Sequence, residues 1–547
     1  MKKLSTRSLI VGVLLVVFCS VALGSWAKTR YQDRQSVLYD LEVFAKVVEK
    51  IKSFYVEDVD THELVTDAIE KMLRELDPHS QFLSGLDYED LMLSTQGEFG
   101  GLGIFISFRD NYPTVISPIE DTPAGKAGIQ GGDRIVEIEG QSTEGWQVEK
   151  AVRHLRGDPG SPVSFKISRP GLREPIDYSL VREVIKVSSV TYSGMFDDVG
   201  YVKVSNFSKQ THDELEDALE ELERDGMNCL VLDLRSNPGG LLQAATSVSE
   251  LFLEKDRLVV YTKGRYPQSN QKYYSNRNPK HAGYPIVVMV NGASASASEI
   301  VAGALQDWDA GFVVGQTTFG KGTVQTVFSL TETEAVKLTT AKYYTPSGRS
   351  IHRDELESDA DAQTAGGSDG ADDDYASVDN SGGDEPVSTE GAAVRPIYHT
   401  ASGRVVYGGG GIAPDLEFEP QKYEEIERRL ERDGLFFSFA IDYSTKHKVT
   451  RDIKITDDVI AEFKKLLADR EFEYEDENFA GSRDYINKAL LRELISKNFG
   501  RKEMYRVLLE LDPEFQEVRN IFKKATSLEQ MFEYAEEQQA LKKASLQ

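Results

Sequence analysis

Two short apolar runs, Leu230–Leu234 and Ile286–Val290, constrain the fold of this chain more than any other feature. Runs of this kind are typical of strands that are buried on both faces, as in a parallel sheet covered by helices. Helical patterns alternate with them, so we predict an α/β region over residues 185–420. Further candidate strands are Gly200–Val204, Leu258–Thr262 and Phe312–Val314. Thr211 and Glu214 have the spacing of a capping box, which predicts a helix that ends near Arg224.

The regions on either side of this α/β region have different patterns. Residues 97–175 contain short strands, glycine-rich turns and two helices, which predicts a compact β-rich domain. Residues 35–93 are helical, with apolar positions three and four apart. They form either a cap on a larger domain or a surface between subunits. Residues 421–547 read as charged amphipathic helices and carry no chemical motif.

The charge balance excludes one class of partner. The chain has 63 Lys and Arg against 90 Asp and Glu, a net charge of −27, and so repels nucleic acid. Residues 354–391 hold 13 acidic residues and no basic one, with almost no large apolar side chain, which predicts a disordered acidic insert. The two cysteines, Cys19 and Cys229, can build neither a disulfide framework nor a cysteine metal site. We predict no metal and no cofactor.

The N-terminus has the pattern of an export signal. Residues 1–27 begin with a basic stretch, continue with an apolar run and end in small residues, as a signal peptide does. The 19 residues from Leu9 to Ala27 would form a helix of roughly 28 Å, close to the hydrocarbon thickness of a bilayer. The segment is therefore either a cleaved signal peptide or an anchor in the inner membrane. In both cases we expect the chain to be exported to the bacterial periplasm.

The segment after the second apolar run contains three alternating serines, Ser294, Ser296 and Ser298. A strand, a tight turn and a helix rich in small residues follow one another here. This geometry presents a side chain at a helix N-terminus, where backbone N–H groups can bind a developing oxyanion. Serine is also a preferred N-cap residue, so at least one of the three is expected to cap the helix.

A serine nucleophile needs a base, and Lys321, between Gly320 and Gly322, is a candidate for it. A lysine can act in this way if burial lowers its pKa from about 10.4 to about 7–8, at a desolvation cost of roughly 3–5 kcal/mol. Gln325, four residues on, could orient the amine. Upstream, the Pro-Gly-Gly turn at Gly239 and Gly240 can aim a backbone N–H outward.

Taken together, these motifs resemble the carboxyl-terminal processing (tail-specific) peptidases, serine peptidase family S41. The resemblance implies that Ser296 attacks, that Lys321 is the base and that Gln325 positions the lysine. It implies an oxyanion hole from the N–H of Ala297 and that of Gly239 or Gly240. The implied fold is multidomain α/β: a crotonase-like α/β peptidase core with an inserted β-rich PDZ domain and helical N- and C-terminal regions.

The same resemblance identifies residues 97–175 as the PDZ domain. Its carboxylate-binding loop would be Gly101, Leu102, Gly103 and Ile104, and the peptide would add a strand beside Ile104–Ile106. The facing helix carries Val148, Val152 and Leu155. The implied partners are protein or peptide substrates with apolar C-termini.

Two alternative functions and two further partners stay open. The chain could be a PDZ scaffold whose core no longer cuts, although intact Ser296, Lys321 and Gln325 argue against this. It could also perform acyl-thioester chemistry on a crotonase-like fold, which would require neither a PDZ domain nor an export signal. A second copy of the chain or an adaptor protein is a further candidate partner.

Overall fold

The computed structural model describes residues 37–331, 333–353 and 395–545. The predicted signal or anchor segment, 1–27, and the predicted acidic insert, 354–391, lie outside the described residues. The chain divides into two compact units. The first contains Met1–Leu83, Val327–Leu330 and Ala335–Leu338; the second contains Ser84–Thr326, Thr331–Glu334 and Thr339–Gln547. Within the described ranges, no helix combines the length and the apolarity needed to cross a membrane.

The first unit contains the predicted N-terminal helices. Helix α1 covers residues 37–54, α2 is Thr61–Arg74, and strand β1 is Gln81–Ser84. Helix α2 begins after Asp60, whose carboxylate accepts the N–H groups of the first turn. The apolar residues Val37, Leu41, Phe44 and Val47 of α1 are between 41% and 58% exposed. The helices are confirmed, while the cap and the intersubunit surface both remain predictions.

A six-stranded sheet forms the centre of the second unit, in the order β10-β11-β12-β15-β16-β21. From β11 to β21 neighbouring strands are parallel, and β10 joins antiparallel at the edge. Four of the five predicted strands lie in this sheet and agree with the prediction to within one residue at each end. The fifth, Leu258–Thr262, is β13 (Leu258–Lys263) and belongs to another sheet. The strands of the central sheet are Val190–Phe196, Val199–Val204, Cys229–Asp233, Ile286–Val290, Phe312–Gly315 and Leu416–Glu417.

Helices cover both faces of this sheet. Helices α6 (Thr211–Arg224), α7 (Leu242–Glu250) and α8 (Ala297–Asp307) share one core with the first face. The opposite face packs against α14 (Pro513–Lys524) and α15 (Leu528–Ser545). The inner strands are buried on both faces, which explains why their sequences are continuous apolar runs.

The predicted capping box at Thr211 and Glu214 is wrong, although the helix from Thr211 to Arg224 is confirmed. The N-cap is Gln210. The Glu214 carboxylate instead accepts the backbone N–H groups of Ser189, at 2.7 Å, and of Val190, at 3.2 Å. The competing donors come from a neighbouring segment that is distant in sequence, so the local spacing alone could not predict this pairing.

The β-rich region has a sheet in the order β3-β4-β5-β7-β8, with β6 on β5. Helices α4 (Pro123–Lys126) and α5 (Val148–Leu155) confirm the two predicted helices. Strand β3 lies at the edge of the sheet, and α5 packs nearby. The strands are Ile104–Arg109, Tyr112–Pro118, Arg134–Ile138, Gln141–Ser142, Pro162–Ser168 and Ile176–Val181.

Smaller elements join these parts. Helix α3 (Leu86–Gln96) precedes β2, which pairs with β9. A second sheet of the second unit contains β13, β14 and the residues of β17 and β18 that belong to this unit. A separate pair is formed by β19 and β20. The remaining strands are Glu98–Gly101, Glu183–Lys186, Leu258–Lys263, Lys272–Tyr274, Thr323–Ser329, Glu334–Tyr344, Ile397–His399 and Val405–Tyr407.

The C-terminal helices have two roles in the second unit. Helices α9 to α12 and the first part of α13 pack around a core of their own. Helix α13 has a kink at Gly500, and beyond it Leu509 joins the core of the central sheet. Before the kink, Lys497 donates to the carbonyl of Gly131 in the β-rich region, at 2.7 Å. The helices are Glu425–Arg432, Leu435–Lys446, Asp457–Asp469, Asp476–Gly481 and Arg483–Glu510.

Candidate active site

The structure separates the three serines that the sequence could not rank. Ser294 donates its hydroxyl to the Leu234 carbonyl at 2.8 Å, and Ser298 donates to the Asn237 carbonyl at 2.9 Å. Both side chains are fully buried. Ser296 is partly exposed and occupies the N-cap position of α8. Ser296 is therefore the serine of the three that a substrate can reach.

The backbone of Ser296 is strained. Its φ of 55° and ψ of −111° lie in a region that residues with a side chain seldom adopt. Such conformations cost on the order of 1–3 kcal/mol and persist only where the surroundings hold them. The hydrogen bonds around Ser296 provide that restraint.

The carboxylate of Glu299 connects the Ser296 and Lys321 segments. Its Oε2 accepts the backbone N–H of Ser296 at 2.8 Å and that of Lys321 at 3.0 Å. Its Oε1 accepts the Thr318 hydroxyl at 2.6 Å and the Gly320 N–H at 2.7 Å. Burial raises the pKa of Glu299, and these four hydrogen bonds counteract part of that rise. Two segments that are 25 residues apart in sequence thus meet on one side chain.

Tyr343 holds the same two residues through their carbonyl groups. Its hydroxyl lies 2.6 Å from the Lys321 carbonyl oxygen and 3.1 Å from the Ser296 carbonyl oxygen. Burial raises the pKa of Tyr343 well above its usual value, so the hydroxyl keeps its proton. The backbones of Ser296 and Lys321 are therefore fixed by both their N–H and their C=O groups.

The Lys321 loop is close-packed against a neighbouring segment. A Cβ added at Gly322 would lie 2.9 Å from the backbone nitrogen of His352. This explains why the lysine has a glycine beside it. The Lys321 side chain is partly buried. The amide nitrogen of Gln325 donates to the Thr323 hydroxyl oxygen at 2.9 Å. The amide oxygen takes no part in this hydrogen bond.

The predicted oxyanion turn packs directly against Ser296. Gly239 has a φ of +101°, and a Cβ added there would lie 2.7 Å from the Ser296 Cβ and 2.9 Å from the Ala297 nitrogen. The N–H of Gly239 donates to Asn237 Oδ1 at 2.9 Å, inside the turn. Because the Gly239 N–H is engaged in this bond, Gly240 is the predicted glycine whose N–H could serve the oxyanion hole. The Asn237 carbonyl also accepts the Ala295 N–H at 3.0 Å.

A second site lies in the β-rich region, between β3 and α5. A cavity of about 70 Å³ has walls from five of the predicted residues, Leu102, Gly103, Ile104, Val152 and Leu155. Phe99, Ile106 and Arg156 complete the lining. The sixth predicted residue, Gly101, ends strand β2 and pairs with Glu183. The carbonyls of Leu102 and Gly103 accept the N–H groups of Ala124 and Ile119, at 3.0 and 2.9 Å.

The sequence analysis missed three residues of the candidate active site. Glu299 follows Ser296 at the spacing of a capping box, a signal that could have identified it. Asn237 directly precedes the Pro-Gly-Gly turn, but its position in the sequence does not indicate a role. Tyr343 lies on β18, and nothing in its local sequence indicates contact with Ser296. Within the described part of the chain, no group of three or more His, Cys, Asp or Glu could hold a metal ion.

Sequence profiles match three parts of the chain. Peptidase family S41 matches residues 198–362, and the PDZ domain matches residues 114–169. The profile described as "Probable PDZ-protease, C-terminal helical domain" matches residues 426–480. The first match contains Ser296 and Lys321, and the second contains Val152 and Leu155.

Whole-sequence relatives extend these matches. The carboxy-terminal-processing protease of Bartonella bacilliformis is 41% identical over 340 residues, which cover 61% of this chain and 78% of that protein. The carboxy-terminal processing protease CtpA of Bacillus subtilis is 37% identical over 56% of this chain and 66% of its own. The solved photosystem II D1 C-terminal processing protease has 29% identity and a TM-score of 0.33, over 56% of this chain and 89% of that one. The chain therefore belongs to peptidase family S41, and its β-rich region is a PDZ domain.

Proposed function

We propose that this serine-type peptidase is an endopeptidase that cuts proteins near their C-terminus with a Ser296–Lys321 dyad. The observation that carries the proposal is the shared carboxylate of Glu299, which accepts the backbone N–H groups of both residues through one oxygen atom. Relatives named carboxy-terminal processing proteases support the same substrate class.

The proposed reaction proceeds in two steps. Ser296 Oγ attacks the scissile carbonyl carbon while its proton moves to Lys321 Nζ, and the negative oxygen that forms accepts the N–H groups of Ala297 and Gly240. The C–N bond then breaks, and the leaving amine takes the proton from Lys321. Water repeats the sequence on the acyl-enzyme and releases the acid, with Lys321 again as base. The amide oxygen of Gln325 orients the lysine amine.

The groove of the PDZ domain would hold the substrate's tail. Strand β3 is at the sheet edge, so an extended peptide can pair with it. The lining is largely apolar, and its volume of about 70 Å³ suits a small apolar side chain at the peptide's end. Because the carbonyls of the Leu102–Gly103 loop bond inward, its N–H groups are the ones left to receive the terminal carboxylate.

The experiment that tests the dyad compares five variants on an unstructured protein with an apolar C-terminus. Ser296→Ala and Lys321→Ala should lose cleavage by about three orders of magnitude or more, since each removes a reacting group. Ser294→Ala and Ser298→Ala remove buried hydroxyls that do not react but bond the Leu234 and Asn237 carbonyls. Their losses measure the cost of disturbing the surroundings of Ser296 and should stay far below three orders of magnitude. Gln325→Ala should fall in between. Turnover by Ser296→Ala at the wild-type rate would show that the dyad assignment is wrong.

The role of the tail is tested separately. Removing the last three residues of the substrate should raise KM about tenfold or more, whereas a substrate with the same cut site and an intact tail serves as control. Equal KM values for both substrates would contradict tail recognition.

With Lys321 as base, kcat/KM should rise between pH 6 and 9 as the amine loses its proton, and a flat profile would count against the lysine.

We also propose that the enzyme acts on exported proteins in the bacterial periplasm. The basic and apolar pattern of residues 1–27 supports this location. Cell fractionation of the full chain should recover it outside the cytoplasm, either soluble or bound to the inner membrane. N-terminal sequencing of the recovered chain distinguishes cleavage after Ala27 from an intact anchor, and recovery in the cytoplasm would contradict the proposal.

A further inference from the structure

The start of helix α14 contributes two carboxylates to a buried charge cluster beside the active site. Arg235 donates to Glu514 Oε2 at 2.7 Å and to Asp512 Oδ2 at 2.8 Å. The same guanidinium donates to Asp233 Oδ2 at 2.7 Å. The Arg235 side chain is 16% exposed, and the side chains of Asp512 and Glu514 are each 20% exposed. Helix α14 is therefore fixed to the end of strand β12 by charged hydrogen bonds that are mostly shielded from water.

Asp512 and Glu514 decide the charge balance of this cluster. Lys203 donates to Asp233 Oδ1 at 3.0 Å, so that Asp233 alone faces two positive groups. Burial would raise the pKa of Asp233, but the charges of Arg235 and Lys203 lower it below its usual range. The two carboxylates of α14 turn this excess of one positive charge into an excess of one negative charge. Without them the Arg235 guanidinium would lose two of its three carboxylate acceptors.

Arg235 is the residue just before the turn that packs on Ser296. The next residue, Ser236, has a φ of +57°, a strained conformation that its neighbours must maintain. After it, Asn237 donates to the Val204 carbonyl at 2.9 Å, and its own carbonyl accepts the Ser298 hydroxyl. Asn291 holds Ser236 directly, because its Oδ1 accepts the Ser236 N–H at 2.8 Å and its Nδ2 donates to the Ser236 hydroxyl at 3.2 Å. The side chains of Arg235 and Asn237 anchor the positions on either side of it.

We propose that Asp512 and Glu514 are positioning residues for the peptidase reaction, acting through Arg235 on the turn that brings Gly239 and Gly240 against Ser296. The inference rests on the proposed Ser296–Lys321 chemistry. Neither carboxylate touches the substrate. Their effect is to keep Arg235 extended toward α14, so that the strained Ser236 cannot relax and carry the Pro-Gly-Gly turn away from the oxyanion.

The test is the double variant Asp512→Asn/Glu514→Gln, which removes both charges and keeps the side-chain shapes. Asn at position 512 also keeps an N-cap residue for α14. We expect kcat on a tailed peptide to fall at least tenfold while KM and the affinity of the PDZ domain for a free tail peptide stay within twofold. The rate at which a fluorophosphonate labels Ser296 should fall in parallel with kcat. Glu514→Gln alone, which leaves Asp512 on Arg235, should lower kcat about threefold and serves if the double variant does not fold.

Arg519→Gln is the matched control. Arg519 lies on the same helix and forms an ion pair with Asp197, an exposed residue in the turn between β10 and β11. It should leave kcat within twofold. The inference is overturned if Asp512→Asn/Glu514→Gln and Glu514→Gln turn over at the wild-type rate, or if Arg519→Gln loses as much activity as they do. Ser296→Ala, measured beside them, separates this failure from failure of the dyad, because it is inactive only if the proposed function holds.

Discussion

The candidate active site and the groove of the PDZ domain are built on opposite principles. Around Ser296, hydrogen bonds with Glu299 and Tyr343 fix the backbones of Ser296 and Lys321. The groove between β3 and α5 is lined mostly by apolar side chains and ends at an open sheet edge. The first region is held by hydrogen bonds within the protein, whereas under the proposed function the second is completed by the peptide.

This contrast predicts where substitutions will act. A reaction centre that is held by directional hydrogen bonds loses transition-state stabilisation when one bond is removed, so kcat falls. An apolar groove binds the tail equally in the ground state and in the transition state, so its substitutions change KM. A variant that changes both kcat and KM would contradict this distinction.

Among variants that keep Ser296 and Lys321, the largest effect is expected for Glu299→Gln. The four donors to Glu299 lie on both of its oxygens, so either orientation of a glutamine amide would set its NH₂ group against two of them. We expect kcat to fall at least about 100-fold and the free energy of unfolding by about 2–4 kcal/mol. Steady-state kinetics and urea unfolding measure both changes.

Glu250→Gln is the control, since Glu250 accepts hydrogen bonds from Asn276 at the partly exposed end of α7. It should keep both the activity and the stability of the wild type. A fully active Glu299→Gln variant would contradict the role of this carboxylate as the link between Ser296 and Lys321.

How much of this site the sequence could predict depends on how local each contact is. Short-range signals predict the two apolar strands that lead to the site, the helix after Ser296 and the glycines beside Lys321, and the structure contains them. Tyr343 and Glu214 bond to groups far away in the sequence. Propensity and spacing describe local backbone preference, so they carry no information about such partners.

The groove shows the same limit. The resemblance to a PDZ domain predicts five of its lining residues and places the peptide beside Ile104–Ile106. It does not indicate Phe99, which lies on β2, or Arg156, which follows α5. The C-terminal helices carried no motif, yet α14 and α15 cover a whole face of the central sheet. Their amphipathic pattern indicated a buried face but could not identify what covers it.

A second test sharpens the comparison at the turn itself. In Gly239→Ala the added methyl would collide with the Ser296 Cβ, and we expect kcat to fall roughly 100-fold, the loss typical of a damaged oxyanion hole. Gly283→Ala is the matched control: its φ of +100° is nearly the same as the +101° of Gly239, but an added Cβ there meets no atom within 4 Å. Both variants should lose about 1 kcal/mol of stability from backbone strain, and only Gly239→Ala should lose activity. Equal kcat values for the two variants would show that the turn does not contribute to the reaction.

On the groove side, Ile104→Ala should raise KM for a tailed substrate about tenfold and leave kcat unchanged. The reason is the lost burial of methylene groups, worth about 0.8 kcal/mol each. Phe108→Ala is the control, because Phe108 lies on the same strand, is 42% exposed and is not part of the lining. A fall in kcat with an unchanged KM would place the groove among the elements that govern chemistry, against the comparison.

The smallest effect concerns the contact of the PDZ domain with the C-terminal helices. Asp110 pairs with Arg470 of α11 at 2.7 Å, and the hydrogen bond from Arg470 lowers the pKa of Asp110 below its usual 3.8. A carboxyl whose pKa is lowered by folding stabilises the protein above that value, and the stabilisation is lost as the pH falls through the pKa of the folded state. Asp110→Asn should therefore cost at most about 1 kcal/mol at pH 7 and progressively less below pH 3.8. Urea unfolding of Asp110→Asn, Arg470→Met and the double variant measures the coupling, and a difference that grows on acidification would contradict it.

The backbone of Ser296 has a consequence of its own. A residue with φ of 55° and ψ of −111° is in a conformation that glycine adopts without strain. Glycine at this position would therefore relieve the strain and, under the proposed function, remove the nucleophile. Stability and the proposed reactivity then compete at this one residue, so selection for stability alone would favour loss of the serine.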